Sequence, residues 1–416
     1  MEILTLKYYK HKHFDYAEMF ELKKVRKILK SVKRNGDSAI KHYTKQFDEI
    51  NLEKIQIPEE KITEIYKSAD PKLIELLQYA TNRIQLFASK QLESFKNLEI
   101  KIEDSIIGHK IVPIQKVGCY VPGGRFPLIS TALMTVIPAK VAGVKEIFVC
   151  SPKIHSITIL AAKIAGADRI FNMGGVQAIA AFAFGTESVP KVDKIVGPGN
   201  KYVTAAKKEV YGTVGIDFLA GPSEILIIAD ETAIPEFIAA DLLAQAEHDP
   251  NSIPELITTS PQLAAKVNQQ LKFQLSNLTT KKTAESALKN GKIILTDSIL
   301  ETVKISNIIA PEHLEIHISN PDLIIDKLYN YGSLFIGNYS AETFGDYCSG
   351  TNHILPTNGA ARYTGGLSVK NFIKIQTYQK IGKKDAKKIS QITENLAEIE
   401  GLYAHKNASI IRFKSL

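Results

Sequence analysis

Cysteine and long apolar runs are both scarce in this sequence of 416 residues. The three cysteines are an odd number without CxxC spacing, which argues against a disulfide framework and against a cysteine-built zinc site. The longest apolar stretch, residues 131–144, is interrupted by a proline and a lysine, and the first residues contain no apolar signal-peptide core. We therefore expect a cytoplasmic location, with neither secretion nor membrane insertion.

Two nucleotide-binding fingerprints are also absent. No GxGxxG motif follows a predicted strand and no GxxxxGK[ST] motif occurs, so the residue pattern alone does not establish NAD as a cofactor. Basic residues exceed acidic ones, 52 against 44, but the lysines are dispersed and form no RNP, zinc-finger or aromatic-interleaved pattern. We expect a lysine-rich solvated surface and no nucleic-acid partner.

The middle of the chain alternates short β-branched runs with helical stretches. Strands are predicted at 117–121, 146–150, 169–172 and 193–196, each followed by a helical stretch. This alternation predicts right-handed crossovers and a parallel sheet, so the fold class is α/β. With 44% hydrophobic residues, the chain can bury a large core and is long enough for more than one domain.

Ligands of parallel sheets bind beyond the carboxyl ends of the strands. The sequence places glycine turns there, with Tyr120, Gly123, Gly174, Gln177 and residues 197–200. Such turns at helix starts can present backbone N–H groups to an anion. Tight turns that only reverse the chain are the alternative.

A second alternating section follows residue 223. Strands are predicted at 224–229, 292–295 and 333–336, and a helix is predicted at 235–247. The opening hundred residues look mostly helical. Amphipathic helices are predicted towards both ends of the chain, at 17–32, 70–90 and 383–400.

Residues that can bind a metal occur in four separate places. In AADLLAQAEHDP, Gln245 and His248 stand at i and i+3, so both side chains can reach one ion. A histidine placed favourably against the C-terminal helix dipole is the alternative. In GDYCSGTNHILP, Asp346 and His353 lie in a glycine-rich loop, where functional residues concentrate, although a turn-forming aspartate is equally ordinary.

The other two places pair an acid with an imidazole. Glu312 and His313 are adjacent in APEHLEI, with a polar surface loop as the alternative, and Glu400 and His405 in EGLYAHKNA follow the last predicted helix, with a solvated tail as the alternative. Zinc accepts histidine nitrogen and carboxylate oxygen, and a catalytic site leaves coordination positions free. Together with a parallel-sheet core, these residues predict a metal-assisted α/β enzyme.

Eight segments beyond residue 116 resemble the motifs of the histidinol dehydrogenase family, in the family's order. They are CYVPGGRFPLISTALMTVIPAKVAGV, NMGGVQAIAAFAFGT, VGPGNKYV, AGPSEILIIAD, DLLAQAEHDP, APEHLEI, GDYCSGTNHILPT and LYAHKNA. The first hundred residues resemble the family only in length and helical character. The resemblance implies oxidation of L-histidinol through L-histidinaldehyde to L-histidine, the last steps of histidine biosynthesis, with NAD and one zinc ion per subunit.

Transferred residue by residue, the resemblance implies four zinc ligands, Gln245, His248, Asp346 and His405. It implies a substrate site formed by these four together with Ser223, His313, His353 and Glu400. The implied NAD contacts are Tyr120, Gln177 and Asn200, and the implied acid/base pair is Glu312 and His313. Arg125 stands where many relatives carry a smaller residue, so the NAD contact at that turn stays open.

The resemblance also implies two incomplete Rossmann-like parallel-sheet domains with small helical N- and C-terminal pieces. Its boundaries are an N-terminal arm at 1–18, a first domain at 19–118 and 225–365 with a helical N-terminal part, a second domain on the NAD side at 119–224, and a C-terminal helical arm at 366–416. It implies a homodimer in which this arm contributes Glu400 and His405 to the partner's active site. We predict that residues 364–402 form a long, largely helical extension, which suits such an exchange.

The residue types suit a two-step oxidation. A neutral His313 can remove the hydroxyl proton, and Glu312 can activate the water that attacks the aldehyde. We favour zinc as a holder of the imidazole and amine nitrogens of histidinol over zinc as a Lewis acid on the alcohol oxygen. A cysteine thiohemiacetal is the alternative for the second step, and Cys348 is its candidate because Cys119 and Cys150 lie in apolar strands. A zinc hydrolase and a non-enzymatic nucleotide- or RNA-binding protein are the rival classes.

Overall fold

A computed structural model describes residues 1–9, 21–123 and 127–414. The chain divides into two units, the first formed by Met1–Lys90 with Ile114–Phe372 and the second by Gln91–Pro113 with Ile373–Leu416. Arg125 and part of the predicted 17–32 helix lie outside the described residues.

The described residues form strands β1 (Glu2–Thr5), β2 (Leu98–Ile102), β3 (Ser105–Pro113), β4 (Lys116–Tyr120), β5 (Glu146–Ser151), β6 (Arg169–Asn172), β7 (Lys194–Val196), β8 (Gly215–Ile216), β9 (Glu224–Ala229), β10 (Ile253–Thr258), β11 (Lys292–Leu295), β12 (His313–His317), β13 (Ser333–Ile336) and β14 (Ile373–Lys380).

Their helices are α1 (Leu22–Asp48), α2 (Glu59–Ser68), α3 (Pro71–Glu93), α4 (Ile129–Val141), α5 (Ser156–Ala165), α6 (Gly175–Phe184), α7 (Lys201–Val210), α8 (Pro235–Ala246), α9 (Pro261–Ser276), α10 (Lys281–Leu288), α11 (Ile299–Ile309), α12 (Glu342–Tyr347), α13 (Lys383–Ile399) and α14 (Tyr403–Lys414).

A six-stranded parallel sheet in the first unit has the order β1-β11-β10-β9-β12-β13. The predicted strands at 224–229, 292–295 and 333–336 are confirmed with the same bounds. Strands β10 and β12 were not predicted, since β10 has Pro254 at its second position and β12, HLEIH, alternates polar with apolar residues. All five β12 residues are nevertheless buried, because the polar face of this strand builds a polar site inside the protein.

A second sheet in the same unit has the order β6-β5-β4-β7-β8 and is also parallel. The predicted α/β fold with two parallel sheets is therefore confirmed. Helix α1 packs against α6 and α7, and Val25, Ile40, Phe148 and Phe182 belong to one buried cluster. The domain boundaries implied by the resemblance stay predictions.

The second unit contains a three-stranded antiparallel sheet with the order β14-β3-β2. The prediction that residues 364–402 are largely helical is wrong over Ile373–Lys380, where IKIQTYQK pairs with β3 along its whole length. Its β-branched and aromatic side chains are typical of a strand. The helix predicted at 383–400 is confirmed as α13, and a further helix, α14, occupies the segment for which a solvated tail was the alternative.

No helix among the residues described is both long and apolar enough to cross a membrane.

A buried carboxyl group on β10 makes the stability of the first unit depend on pH. Burial raises the pKa of Glu255 to about 7, even though Tyr9 donates a hydrogen bond to its carboxylate. From the ordinary carboxyl pKa up to about 7, the folded chain therefore holds a proton that the unfolded chain has lost, so the free energy of unfolding falls as pH rises through this window.

We expect Glu255→Gln to raise the melting temperature at about pH 8, with a gain that shrinks steadily towards about pH 5. Tyr9 keeps an acceptor in this variant, so the difference reports ionisation. Thermal melts across the pH series measure it, with Glu60→Gln at an exposed position as the control. A gain of the same size at both pH values would contradict the assignment.

Candidate active site

The predicted acid/base pair lies at the start of β12. Glu312 and His313 are both buried, so the surface-loop alternative is wrong for them. His313 stands opposite Ile225 of β9 and Ser333 of β13 in the parallel register. The pair therefore lies at the amino end of β12, beside Glu224 at the start of β9.

The backbone of one residue, Glu224, orients both side chains. The Glu224 N–H donates to Glu312 Oε2 at 2.8 Å, and His313 Nδ1 lies 3.0 Å from the Glu224 carbonyl oxygen. A carbonyl oxygen only accepts, so Nδ1 must carry the hydrogen. In the neutral ring Nε2 then has the lone pair, and no described residue donates a hydrogen bond to it. His313 is thus arranged as a proton acceptor.

Helix α12 supplies the groups that face this nitrogen. His313 Nε2 lies 3.6 Å from Glu342 Oε1 and 3.9 Å from Asp346 Oδ1. Glu342 and Asp346 are at i and i+4, which places them on one helical face. Asp346 was predicted to lie in a glycine-rich loop, and the structure places it instead in this six-residue helix.

Three histidines surround the Asp346 carboxylate. Besides His313, His248 Nε2 lies 3.7 Å from Oδ2 and His353 Nδ1 lies 3.8 Å from Oδ1. His353 Nδ1 is also 2.9 Å from the Asp346 carbonyl oxygen, and its Nε2 is 3.3 Å from Thr131 Oγ1 of α4. The structure therefore brings His248, His313, Asp346 and His353 together.

Burial sets the protonation of these groups. It lowers the pKa values of His313 and His353 despite the opposing effect of Asp346, so both rings are neutral near pH 7. It raises the pKa values of Glu312 and Glu342 well above the usual carboxyl range, with a further increase from neighbouring carboxylates. A cation entering this site would oppose those increases.

The same residues fit a zinc ion. His248, Glu342 and Asp346 each offer a ligand atom within 4.8 Å of the others. Gln245 lies on α8 three residues before His248 and is buried, with both amide atoms lacking a hydrogen-bond partner among the described residues. Proteins leave few buried polar atoms unsatisfied, and a cation bound by the amide oxygen would remove this defect.

The predicted nucleotide contacts lie at the carboxyl ends of β4, β6 and β7. The Tyr120 hydroxyl accepts from the Gly175 N–H at 3.1 Å, and buried Gln177 has a side-chain oxygen without a partner in the described chain. Asn200 caps α7 by accepting from the N–H groups of Tyr202 and Val203. All three residues thus lie at or just after the carboxyl ends of strands of one parallel sheet.

The remaining predicted residues lie in different surroundings. Ser223 directly precedes β9 in the first unit. Glu400 caps the end of α13 and His405 lies on α14, both in the second unit and both exposed. Gln245, His248 and Asp346 belong to the first unit.

Sequence reasoning missed Glu342 and Thr131. The i, i+4 spacing of Glu342 and Asp346 in ETFGD was a usable signal, but Gly345 and the following glycine-rich segment favoured a loop. Thr131 carries no signal of its own, because its contact with His353 spans 222 residues.

Cys119 and Cys150 are buried as predicted, and burial raises the pKa of the Cys119 thiol to about 12 and that of Cys150 well above its usual value. Neither is suited to act as a thiolate nucleophile. Cys348 is partly exposed and directly follows α12.

Comparison with known proteins gives one family. The family model described as histidinol dehydrogenase matches residues 12–413. The chain is similar to histidinol dehydrogenase from Methanocaldococcus jannaschii, with 49% identity over 395 residues, 94% of this chain and 92% of the relative. It is 46% identical over 399 residues to the Methanosarcina barkeri protein of the same name, covering 94% and 92%. The crystal structure of histidinol dehydrogenase from Elizabethkingia anophelis matches with a TM-score of 0.90 and 42% identity over 98% of this chain and 94% of that one.

The unpartnered amide of Gln245 leads to a test of the metal site. We expect Gln245→Leu to lower zinc affinity at least about 10-fold. The melting temperature of the metal-free protein should stay the same or rise, because burying an unsatisfied polar group costs about 1–3 kcal/mol. Competition with a metallochromic chelator measures affinity, and calorimetry measures melting.

Thr44→Val is the matched control, since the Thr44 hydroxyl is also buried without a described partner but lies on α1. It should affect stability in the same direction and leave zinc affinity unchanged. The ligand role would be refuted if Gln245→Leu kept the wild-type zinc affinity. It would also be refuted if Gln245→Leu lowered the melting temperature of the metal-free protein while Thr44→Val did not.

Proposed function

Because the chain belongs to the histidinol dehydrogenase family, we propose that it converts L-histidinol through L-histidinaldehyde to L-histidine, with NAD as electron acceptor and one zinc ion per subunit. Membership makes it an oxidoreductase of histidine biosynthesis. One observation carries the chemistry, namely a neutral buried His313 whose Nε2 has no partner among the described residues and whose Nδ1 lies 3.7 Å from Oε2 of buried Glu312. The family favours this activity over a zinc hydrolase or a non-enzymatic binding protein. We propose a cytoplasmic location and no nucleic-acid partner.

His313 is the base of the first oxidation. Its Nε2 accepts the hydroxyl proton of histidinol while the electron pair of the carbinol C–H bond leaves as hydride, which yields the aldehyde. The hydrogen bond from Nδ1 to the Glu224 carbonyl keeps the ring oriented throughout. NAD, when bound, supplies the hydride acceptor for both oxidations. Such base catalysis typically accelerates a reaction by about 10²–10⁴-fold.

Glu312 is the base of the second oxidation. It removes a proton from water as the oxygen adds to the aldehyde carbon, and His313, protonated in the first step, returns its proton to the former carbonyl oxygen, giving the hydrate. His313 then accepts a hydroxyl proton of the hydrate as the second hydride leaves, and the carboxylic acid results. The Glu224 N–H holds Glu312 Oε2, which leaves Oε1 for the water. Burial raises the pKa of Glu312, so its carboxylate is a strong base once ionised.

The zinc ion would be held by Gln245, His248 and Asp346 of one subunit together with His405 of the partner subunit. When bound, zinc supplies a centre that holds the imidazole and amine nitrogens of histidinol. Ser223 and His353 would line the substrate together with these ligands, and Glu400 of the partner subunit would complete the lining. The unpartnered Gln245 amide and the carboxylate between three histidines support this assignment.

The proposed NAD contacts have hydrogen-bonding groups to spare. The Tyr120 hydroxyl accepts from Gly175 and keeps its own hydrogen for donation. Asn200 uses its side-chain oxygen as the helix cap, so its NH₂ group is available as a donor. Gln177 offers an oxygen without a partner in the described chain. These three groups suit the hydroxyl and amide groups of a dinucleotide.

An exposed apolar stripe on α13 supports a homodimer. Ile389, Ile392, Leu396 and Ile399 are 40%, 56%, 58% and 82% exposed, and their spacings of three, four and three residues place them on one helix face. Such a face favours burial against a protein partner. In the proposed dimer the C-terminal arm crosses and delivers Glu400 and His405 to the other subunit.

The activity predicts NADH formation when purified protein is mixed with L-histidinol and NAD, and its loss after zinc is removed by a strong chelator. We expect Glu312→Gln to impair oxidation of supplied histidinaldehyde far more than the first hydride transfer, because only the second step needs activated water. His313→Asn should impair both. NADH absorbance with each substrate separates the steps.

Cys348→Ala is the companion variant, and near-normal aldehyde oxidation in it would exclude the thiohemiacetal alternative. Equal losses on both substrates for Glu312→Gln would contradict its role in water activation. Absence of NADH with zinc-loaded wild-type protein would contradict the proposed function itself.

Complementation tests the crossing arm. His248→Ala and His405→Ala chains should each be inactive alone, since either change removes a ligand from every site. After the two are unfolded together and refolded, random pairing makes half the dimers hybrid, each with one intact site, so activity should recover to about a quarter of wild type. No recovery in verified hybrid dimers would show that each site is built within one chain.

A further inference from the structure

A second buried polar cluster lies on the same face of β12 as the proposed base. One nitrogen or oxygen atom each of Asp241, Glu315 and His317 lies within 4.8 Å of the others, and all three residues are buried. His317 Nε2 is 3.2 Å from Glu315 Oε2, and Nδ1 is 3.2 Å from Asn338 Oδ1. Both ring nitrogens are thus hydrogen-bonded within the described chain. The cluster is therefore a closed hydrogen-bond network, unlike the site around Gln245.

Glu315 holds the helix that carries Asp346. The N–H of Glu342, the first residue of α12, donates to Glu315 Oε1 at 2.7 Å. A helix of six residues is too short to be stable alone, and its first N–H groups have no partner within the helix. A carboxylate at that end satisfies the N–H and interacts favourably with the helix dipole. The position of α12 therefore depends on Glu315.

Asp241 connects this strand to α8. It lies one turn before Gln245, so the two side chains share a helical face, and it hydrogen-bonds to Glu315. Burial and the neighbouring Glu315 together raise the pKa of Asp241 to about 7. Glu315 in turn lies two residues after His313 on the same face of β12.

Each of the three elements therefore contributes one group to the network and one to the site. We propose that Asp241 and Glu315 are positioning residues that hold α8, β12 and α12 together and so set the geometry of Gln245, His313 and Asp346. The inference rests on the proposed zinc site. Mutation of residues that orient metal ligands in this way typically lowers the affinity for the metal by about 10–100-fold.

Zinc affinity tests the proposal directly. Glu315→Leu removes the acceptor for the Glu342 N–H and should weaken zinc binding about 10–100-fold. Glu315→Gln keeps an acceptor oxygen at the same place and should stay within about 3-fold of wild type. Competition with a metallochromic chelator gives the affinities, and circular dichroism confirms that each variant is folded.

Ile316→Ala is the matched control. Ile316 lies on the opposite face of β12, fully buried in a different apolar cluster, so the change destabilises the strand without touching the network. Its zinc affinity should equal that of wild type. A loss in Ile316→Ala as large as that in Glu315→Leu would show that strand stability alone decides zinc binding, and the proposal would be wrong.

Asp241→Leu keeps the proposal testable if Glu315→Leu does not fold. This change removes one of two adjoining buried carboxyl groups and keeps a similar volume, so the fold should persist. Its zinc affinity should fall about 10-fold, and wild-type affinity in the folded variant would overturn the proposal. If the wild-type protein itself binds no zinc, the proposed function is wrong. If wild type and folded variants bind zinc with equal affinity, the positioning role of Asp241 and Glu315 is wrong instead.

Discussion

The parallel pairing of β9 with β12 is the interaction on which the site depends. It brings the backbone of Glu224 beside Glu312 and His313, so that the Glu224 N–H donates to the carboxylate and the Glu224 carbonyl accepts from the imidazole. A backbone amide neither titrates nor rotates away, so it fixes the tautomer of His313 in a way that a side-chain partner cannot. Because side chains alternate along a strand, a slip of one residue would also turn Glu315 and His317 away from the site.

Burial gives the site its electrostatic character. Glu224, Glu312 and Glu342 have raised pKa values, chiefly from desolvation, while His313 and His353 have lowered ones. In the isolated chain, burial therefore favours the uncharged forms of these five groups. A divalent cation or an ammonium group entering it would favour ionisation of the carboxyl groups and repay part of their burial. Such a site suits a cationic substrate and a metal better than a neutral ligand.

The sequence predicted elements whose pattern is local and apolar. EILIIA at β9 and KIIL at β11 are short β-branched runs, and their bounds were correct. HLEIH at β12 was missed because its polar positions face inward, and IKIQTYQK at β14 because the surrounding segment was predicted as helical. The clustering of Asp346 with His248, His313 and His353 could be predicted only from the family resemblance. Spacing along the chain does not specify contacts between elements, and for the same reason Glu342 and Thr131 were missed.

The second unit gives a physical reason to expect that assembly and chemistry are coupled. All five residues of β2 are exposed, and α13 presents its apolar stripe to solvent, so this small unit leaves apolar surface exposed. In the proposed homodimer, burying that surface against the partner would provide a driving force for association. Glu400 and His405 lie in the same unit, at the end of α13 and on α14. If the arm that buries the stripe also delivers the last zinc ligand, association stabilises metal binding and metal binding stabilises association, since each favours the assembled state.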